Sequence, residues 1–140
     1  MHRLLPVLRR AFVALDMAPE RDANRVATSP LMLEGAPAGA LDGTERRRQR
    51  PTDAAQQTAH DSGKKQAHTD KHVLLIHAYT STVVSLSPTV AGNTHDKKAV
   101  DEADLVSPVN RTLDKDTGFQ GYEPAGVLTH QPKKSREARR

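Results

Sequence analysis

Two adjacent runs decide the fold of this 140-residue sequence: His72-Val73-Leu74-Leu75-Ile76-His77-Ala78-Tyr79 and Ser81-Thr82-Val83-Val84-Ser85-Leu86. Both runs are apolar and rich in β-branched side chains, which favour β-strands. Thr80-Ser81 can form the tight connection between them. The two runs therefore predict an antiparallel hairpin.

Weaker elements follow the hairpin. Residues 88–93 contain proline and glycine and are predicted to form a loop. Residues 95–105 are predicted to form a helix with Thr94 as its N-cap, because threonine is a favoured residue at that position. Residues 110–116 are predicted to form a last short strand, which delivers Asp116.

The part before the hairpin is less regular. Residues 3–16 have apolar side chains at helical spacing and predict an amphipathic helix that packs on the rest of the chain. Residues 17–40 are predicted to be a flexible linker, because glycine and proline interrupt any regular element there. Only Ala40-Leu41 supports a strand before the polar and charged stretch 43–71.

The composition limits the class of protein. The length corresponds to one domain. Hydrophobic residues are 36% of the chain, against about 45–50% in a typical domain on a count that includes glycine. With two phenylalanines, two tyrosines and no tryptophan, the core is expected to be thin and the chain partly disordered. There is no cysteine and no apolar run long enough to span a bilayer, so we expect a cytoplasmic protein without a membrane partner.

Positive charge is clustered along the chain, whose net charge is +4. One cluster lies within 46–50 and the other within 133–140. Basic clusters suit a polyanion such as DNA. For residues 133–140 alone, a solvated tail is the slightly stronger interpretation.

Two short blocks carry the candidate chemistry: Leu41-Asp42-Gly43-Thr44-Glu45 and Leu113-Asp114-Lys115-Asp116-Thr117-Gly118-Phe119. Two carboxylates brought together from separate strands are what a two-metal phosphodiester site requires, because each divalent ion needs hard oxygen ligands. Aspartate beside glycine is also a common turn signal. By spacing alone, the interpretation of Asp42 and Asp116 as turn residues is the stronger one.

Further motifs surround these blocks in a fixed order. They are Leu41-Asp42-Gly43-Thr44-Glu45-Arg46-Arg47-Arg48-Gln49-Arg50-Pro51 with the stretch 56–69 after it, Leu86 to Lys98, Asp116-Thr117-Gly118-Phe119-Gln120-Gly121-Tyr122, and Gln131-Pro132-Lys133-Lys134. Together they resemble the blocks of bacterial insertion-sequence transposases of the DDE superfamily. The resemblance is dense over residues 41–134 and loose over residues 1–40.

The resemblance implies an architecture. It divides the chain into an N-terminal helix and linker over 1–40, a partial RNase H-like domain over 41–134 and a basic tail over 135–140. The expected fold is α/β, with a mixed sheet that contains the antiparallel hairpin and a crossover helix. In that fold the first and fourth strands lie side by side, so Asp42 and Asp116 would meet at one end of the sheet.

The resemblance also implies the chemistry. DDE transposases cut and rejoin DNA with two Mg²⁺ (or Mn²⁺) ions, and Asp42 and Asp116 are expected to be catalytic metal ligands. DNA is the expected partner, no small-molecule substrate is expected, and assembly into a homo-oligomer is left open. The candidate DNA contacts are Arg46, Arg47, Arg48, Lys64, Lys65, Lys97, Lys98, Lys133 and Lys134. For Lys97 and Lys98, a phosphate contact and a solvated first helical turn are equally open.

The family's third acid is a glutamate on a helix well downstream of the basic run. Glu137 follows Lys133-Lys134 too closely for that role. We therefore expect a chain that is truncated before the third acid and the final strands, and that is inactive alone.

An alternative from another class is a partly disordered basic protein that is not an enzyme and binds nucleic acid nonspecifically. The thin core and the weak first strand favour it.

Overall fold

The structure is a computed structural model that describes residues 4–33, 38–107 and 109–132. Its helices are α1 (Leu4–Ala14), α2 (Pro30–Leu33), α3 (Ala54–His60) and α4 (Asp96–Ala103), with 3₁₀ turns at Ala23–Thr28 and Thr117–Phe119. Its strands are β1 (Ala38–Arg47), β2 (Asp61–Ser62), β3 (Ala67–His77), β4 (Val83–Leu86), β5 (Val90–Ala91), β6 (Arg111–Lys115) and β7 (Val127–His130). The predicted α/β class is confirmed.

One mixed sheet joins the described strands in the order β2-β3-β1-β6-β7, and β4 and β5 pair with β3 outside this path. β1 runs antiparallel to β3 and parallel to β6, and β7 runs parallel to β6. The prediction that no further strand follows Asp116 is therefore wrong for β7. β7 has only four residues, too few to show a clear alternation of side chains.

The predicted hairpin is confirmed, since β3 and β4 pair antiparallel. β3 is eleven residues long and begins before the apolar run. Its polar residues Thr69 and Lys71 are buried there because side chains from neighbouring elements satisfy them. Sequence pattern alone does not reveal such partners.

β1 is a ten-residue strand rather than the two-residue strand predicted. Gly39 lies against Leu75, where a Cβ atom would come within 3.3 Å of Leu75 Cδ1. Asp42 and Gly43 pair with Leu74 and Val73 of β3, so the turn interpretation is wrong for Asp42. Pairing with β3 on one side and β6 on the other stabilises β1 as a strand, although its local sequence does not predict one.

The prediction of a linker over residues 17–40 is wrong where the structure has a 3₁₀ turn, α2 and the start of β1, and residues 34–37 lie outside the described residues. Asp22 caps the 3₁₀ turn Ala23–Thr28, and its side chain accepts a hydrogen bond from the Asn24 N–H. Val26 and Met32 lie in the core, with exposed fractions of 0% and 2%. Burial of these two side chains orders a segment that looks irregular locally.

Helix α1 confirms the predicted helix, but the prediction that it packs on the chain is wrong. None of its residues is buried, and Leu8 and Phe12 are about half exposed. No helix in the described residues has the length and hydropathy that a bilayer span requires.

Helix α4 lies within the predicted range, with a different N-cap. His95 rather than Thr94 caps it, because the imidazole Nδ1 accepts a hydrogen bond from the Lys97 N–H at 3.3 Å. The helix ends at Asp104, which has a left-handed backbone conformation.

The core lies on one face of the sheet, called here the covered face. Alternate residues of β1, β3 and β6 point to it, because successive side chains of a strand lie on opposite faces. Its members include Leu41, Val73, Leu75 and Leu113, and Phe119 packs with them. Asp42 and Asp114, at alternate positions, lie on the opposite face.

A buried cation fastens the segment after β6. The Lys115 side chain is 1% exposed, and its ammonium donates to the Tyr122 carbonyl and to Glu123 Oε1, both at 2.5 Å. The Thr129 hydroxyl also donates to Glu123. The bonds from Lys115 and then Thr129 hold the pKa of Glu123 below its ordinary value.

Phe119→Ala is expected to lower the free energy of unfolding by about 3–5 kcal/mol, because it leaves a cavity in the core. The matched control is Tyr79→Ala, since Phe119 is 1% exposed and Tyr79 is 72% exposed. The control should change the free energy by less than about 0.5 kcal/mol. Urea unfolding measures both, and equal effects would contradict the burial of Phe119.

Glu123→Gln is expected to lower the thermal midpoint at neutral pH and to have no effect at acid pH. Because the folded state lowers the pKa of Glu123, its carboxylate stabilises the folded state fully at pH values above the ordinary glutamate pKa. That contribution is lost as the pH falls through the lowered pKa. Thermal melts from acid to neutral pH measure the midpoints of Glu123→Gln and the unaltered chain, with Glu102→Gln as the control. A lowered midpoint of Glu123→Gln that persists at acid pH would contradict the prediction.

Candidate functional site

The structure brings Asp42 and Asp116 to neighbouring positions. In the parallel pairing of β1 with β6, Ala40 lies opposite Asp114 and Leu41 lies opposite Lys115. Asp42 and Asp116 are the next residues along the two chains, and adjacent strands lie about 4.8 Å apart. Both aspartates are exposed, and both line one shallow pocket of about 590 Å³.

Short local hydrogen bonds orient the two carboxylates. Oδ1 of Asp42 accepts the Gly43 N–H at 2.8 Å. Asp116 caps the 3₁₀ turn that follows β6, and its Oδ1 accepts the Thr117 N–H at 2.5 Å and the Thr117 hydroxyl at 3.2 Å. Asp116 is therefore a turn residue, as its sequence context suggests, and also a neighbour of Asp42.

The backbone at Asp116 is held from two further directions. The Gln131 side-chain amide, just beyond β7, donates to the Asp116 carbonyl at 2.9 Å. Lys115 and buried Phe119 fix the chain on either side.

Burial, with the nearby carboxylates of Asp101 and Asp104, raises the pKa of the Tyr122 phenol, so Tyr122 stays neutral at physiological pH.

The carboxylate pair has the chemistry that a hard divalent cation requires. Mg²⁺ prefers oxygen ligands and usually keeps several waters. Each carboxylate uses Oδ1 for its local bonds, which leaves a second oxygen available as a ligand. Within the described residues, no group of three histidine, aspartate or glutamate side chains has an arrangement that could hold a metal ion. The pair therefore offers oxygen ligands of the type that such an ion prefers, without a third side chain from the described residues.

Asp114 and His130 lie beside the pair. They face each other across β6 and β7, with His130 Nδ1 3.4 Å from Asp114 Oδ1, and each side chain is about 60% exposed. Both line the same pocket as Asp42 and Asp116. His130 was missed from the sequence because nothing there predicts β7.

Five of the predicted DNA contacts gather at one end of the sheet. Strands β1 and β3 pair up to Arg47 and Thr69, beyond the last β1–β6 pair at Leu41. This basic end, as we call it, carries the exposed side chains of Arg46, Arg47, Arg48, Lys64 and Lys65. The turn with Lys64 and Lys65 belongs to the basic end because this turn leads directly into β3.

Arg48 has structural partners within this end. Its guanidinium lies 3.0 Å from Asp70 Oδ1 and 3.0 Å from a ring nitrogen of His60. His60 is nearly buried and also contacts the Thr69 carbonyl at 3.0 Å. Arg48 therefore anchors α3 to β3, whereas Arg46 and Arg47 extend into solvent.

The remaining predicted contacts lie elsewhere. Lys97 and Lys98 form ion pairs with Asp101 and Glu102 one turn further along α4. Such exposed pairs are typical of a solvated helix face, which favours that interpretation over a phosphate contact. Lys133, Lys134 and the basic tail 135–140 lie outside the described residues.

Comparison with known proteins connects this geometry to a family. A family model described as DDE superfamily endonuclease matches residues 41–139, which include both candidate aspartates and all the predicted basic contacts. No curated protein and no solved structure matches the chain. The match covers well over half of the sequence and confirms the resemblance seen in its motifs. The chain belongs to the DDE superfamily of endonucleases, whose members act on DNA in the manner of transposases.

Proposed function

We propose that Asp42 and Asp116 hold Mg²⁺ (or Mn²⁺) and form part of a site for DNA cleavage and strand transfer in insertion-sequence transposition. The observation that carries the proposal is the register of β1 with β6, which makes the two aspartates neighbours. The family match supports the same class of reaction.

The proposal includes an RNase H-like arrangement of the sheet. The strand order supports it: β1, β3 and β4 follow one another in antiparallel pairing, and β6 returns beside β1 in parallel after helix α4. A parallel return needs a crossover connection, which is usually a helix. In this arrangement β7 extends the parallel part of the sheet next to β6.

When bound, the divalent ion would activate the attacking oxygen and stabilise the leaving oxygen of a phosphodiester. The chain's own task is to place two carboxylates at fixed positions, which the bonds from Gly43, Thr117 and Gln131 achieve. Two carboxylates supply too few ligands to align nucleophile and phosphate around paired ions. We therefore propose that the 140-residue chain alone binds metal without cutting DNA.

DNA would approach from the basic end. Arg46 lies on the same face of β1 as Asp42, four residues further along the strand, or about 13 Å at the usual strand rise. A DNA backbone running along this face would meet Arg46 about 13 Å from Asp42. Lysines and arginines that contact phosphates position the nucleic acid without reading its sequence.

Mn²⁺ binding tests the metal site. The unaltered chain should bind Mn²⁺, and Asp42→Asn and Asp116→Asn should each weaken binding by more than about tenfold, because even changes to outer-shell groups cost about 10–100-fold in metal affinity. Electron paramagnetic resonance of free Mn²⁺ measures the affinity. The matched control is Asp61→Asn, an exposed aspartate on β2. No Mn²⁺ binding, or equal loss in the control, would refute the site.

Salt-dependent DNA binding tests the basic end. With about six phosphate contacts, affinity should fall roughly 10³-fold between about 50 and 200 mM salt. Arg46→Gln/Arg47→Gln should weaken binding and reduce the salt slope, while Arg21→Gln, an exposed arginine near the N-terminus, should do neither. Fluorescence anisotropy measures this. An affinity that is flat over this range of salt would argue against the proposal.

A further inference from the structure

The carboxylate of Asp96 lies against two glycines, and each glycine is close in sequence to a candidate metal ligand. Gly43 follows Asp42, and Gly118 is two residues after Asp116. A Cβ atom on Gly43 would lie 3.3 Å from Asp96 Oδ1, and a Cβ atom on Gly118 would overlap Asp96 Oδ2. One side chain of α4 therefore touches both segments that carry the pair.

Space rather than backbone conformation restricts the side chain at both glycines, and it does so more strongly at Gly118 than at Gly43. Neither has a φ angle in the left-handed region that favours glycine. What distinguishes both positions is the Asp96 carboxylate, which occupies the volume next to their Cα atoms. The contact therefore accounts for glycine at position 118 and leaves little room for a side chain at position 43.

A buried cation holds Asp96 in this place. The Lys71 side chain is 8% exposed, and its ammonium donates to Asp96 Oδ1 at 2.8 Å and to the Thr94 carbonyl at 2.5 Å. Oε1 of Glu45 lies 3.7 Å from the same ammonium, and the Thr69 hydroxyl donates to Oε2 of Glu45 at 3.1 Å. Asp96 is thus fixed to β3 through Lys71.

Asp96 does not lie on the same face as the metal ligands. Gly43 belongs to the covered face, since it alternates with Asp42 along β1. Lys71 and Glu45 are buried on the covered face as well. Asp96 therefore contacts the two segments at their glycines from the covered face. The side chain of Asp42 extends from the opposite face.

We propose that Asp96 is a positioning residue for the Asp42–Asp116 pair, an inference that rests on the function proposed above. Its carboxylate sets the separation between β1 and the turn after β6, and Lys71 sets the position of the carboxylate. A displaced Asp96 shifts Gly43 and Gly118, and with them the two metal ligands. Any metal held by the pair is therefore sensitive to a group that does not touch it.

The test compares Mn²⁺ affinity in folded variants of the whole chain. Asp96→Asn keeps the shape of the side chain but removes its charge. Gly118→Ala keeps every charge and displaces the contact by sterics alone. Both should weaken Mn²⁺ binding by about tenfold, as changes to outer-shell groups do. Glu102→Gln, which neutralises an exposed carboxylate on the same helix, is the matched control and should leave Mn²⁺ affinity unchanged.

A double-variant cycle separates positioning from a merely structural role. Asp96→Ala/Gly118→Ala should bind Mn²⁺ about as weakly as Asp96→Ala, because the carboxylate that the alanine methyl would displace is then absent and only the Cβ atom of residue 96 remains, at 3.3 Å. Non-additivity of this kind marks residues in contact. Additive losses would contradict the contact. Circular dichroism and amide NMR of Gly43 and Gly118, without metal, identify which variants are folded and whether both glycines shift together. Where Asp96→Asn does not fold, Gly118→Ala carries the test.

The outcomes also separate this inference from the function on which it rests. Mn²⁺ affinities of Asp96→Asn and Gly118→Ala equal to that of the unaltered chain would refute the positioning role and leave the proposed metal site intact. Absence of Mn²⁺ binding in the unaltered chain would refute the proposed function, and the positioning role with it.

Discussion

The parallel pairing of β1 with β6 is the constraint on which the candidate site depends. Asp42 and Asp116 are far apart in sequence, and only this register makes them neighbours. The pairing requires the chain to cross from β5 to β6 through α4, because parallel strands cannot be joined by a tight turn. Helix α4 contributes to the site twice, since it provides this crossover and also carries Asp96.

The elements that sequence predicts well are those whose signal is local. The hairpin of β3 and β4 follows from two β-branched apolar runs, and α4 and β6 lie within the ranges predicted for a helix and a short strand. β1 lacks such a signal, because glycines occupy two of its positions and Glu45 is buried as half of a polar contact. Its length comes from pairing with β3 and β6, which no local pattern records.

The candidate site divides in the same way. Its two aspartates stand out in sequence because they lie close to glycines in ordered motifs. In the structure, the same glycines contact the carboxylate of Asp96. His130 and Gln131 reach the site from β7 and the residue after it, and no sequence pattern predicts that strand. Asp96 looks like an ordinary helix residue, since its role depends on Lys71, which is far away in sequence.

The low hydrophobic content is linked to this construction. The covered face contains Lys71 and Lys115, whose burial is offset by carboxylates and carbonyls. Buried cations of this kind add little net stability, but a buried cation left without its partners is strongly destabilising. We therefore expect the partners that these two lysines require to favour one arrangement of the chain around the aspartates.

The separation of charges along β1 matters for the proposed chemistry. An arginine adjacent to Asp42 would form an ion pair with it and compete with a divalent cation for the carboxylate. Arg46 and Arg47 lie four and five residues further along the strand, and about 13 Å is beyond the Debye length of about 8 Å at physiological salt. In the proposed function, we therefore expect the basic end to attract DNA without pairing with the carboxylate of Asp42. Asp96 is paired with Lys71 on the covered face, so the positioning role proposed for it places no cation next to Asp42 or Asp116.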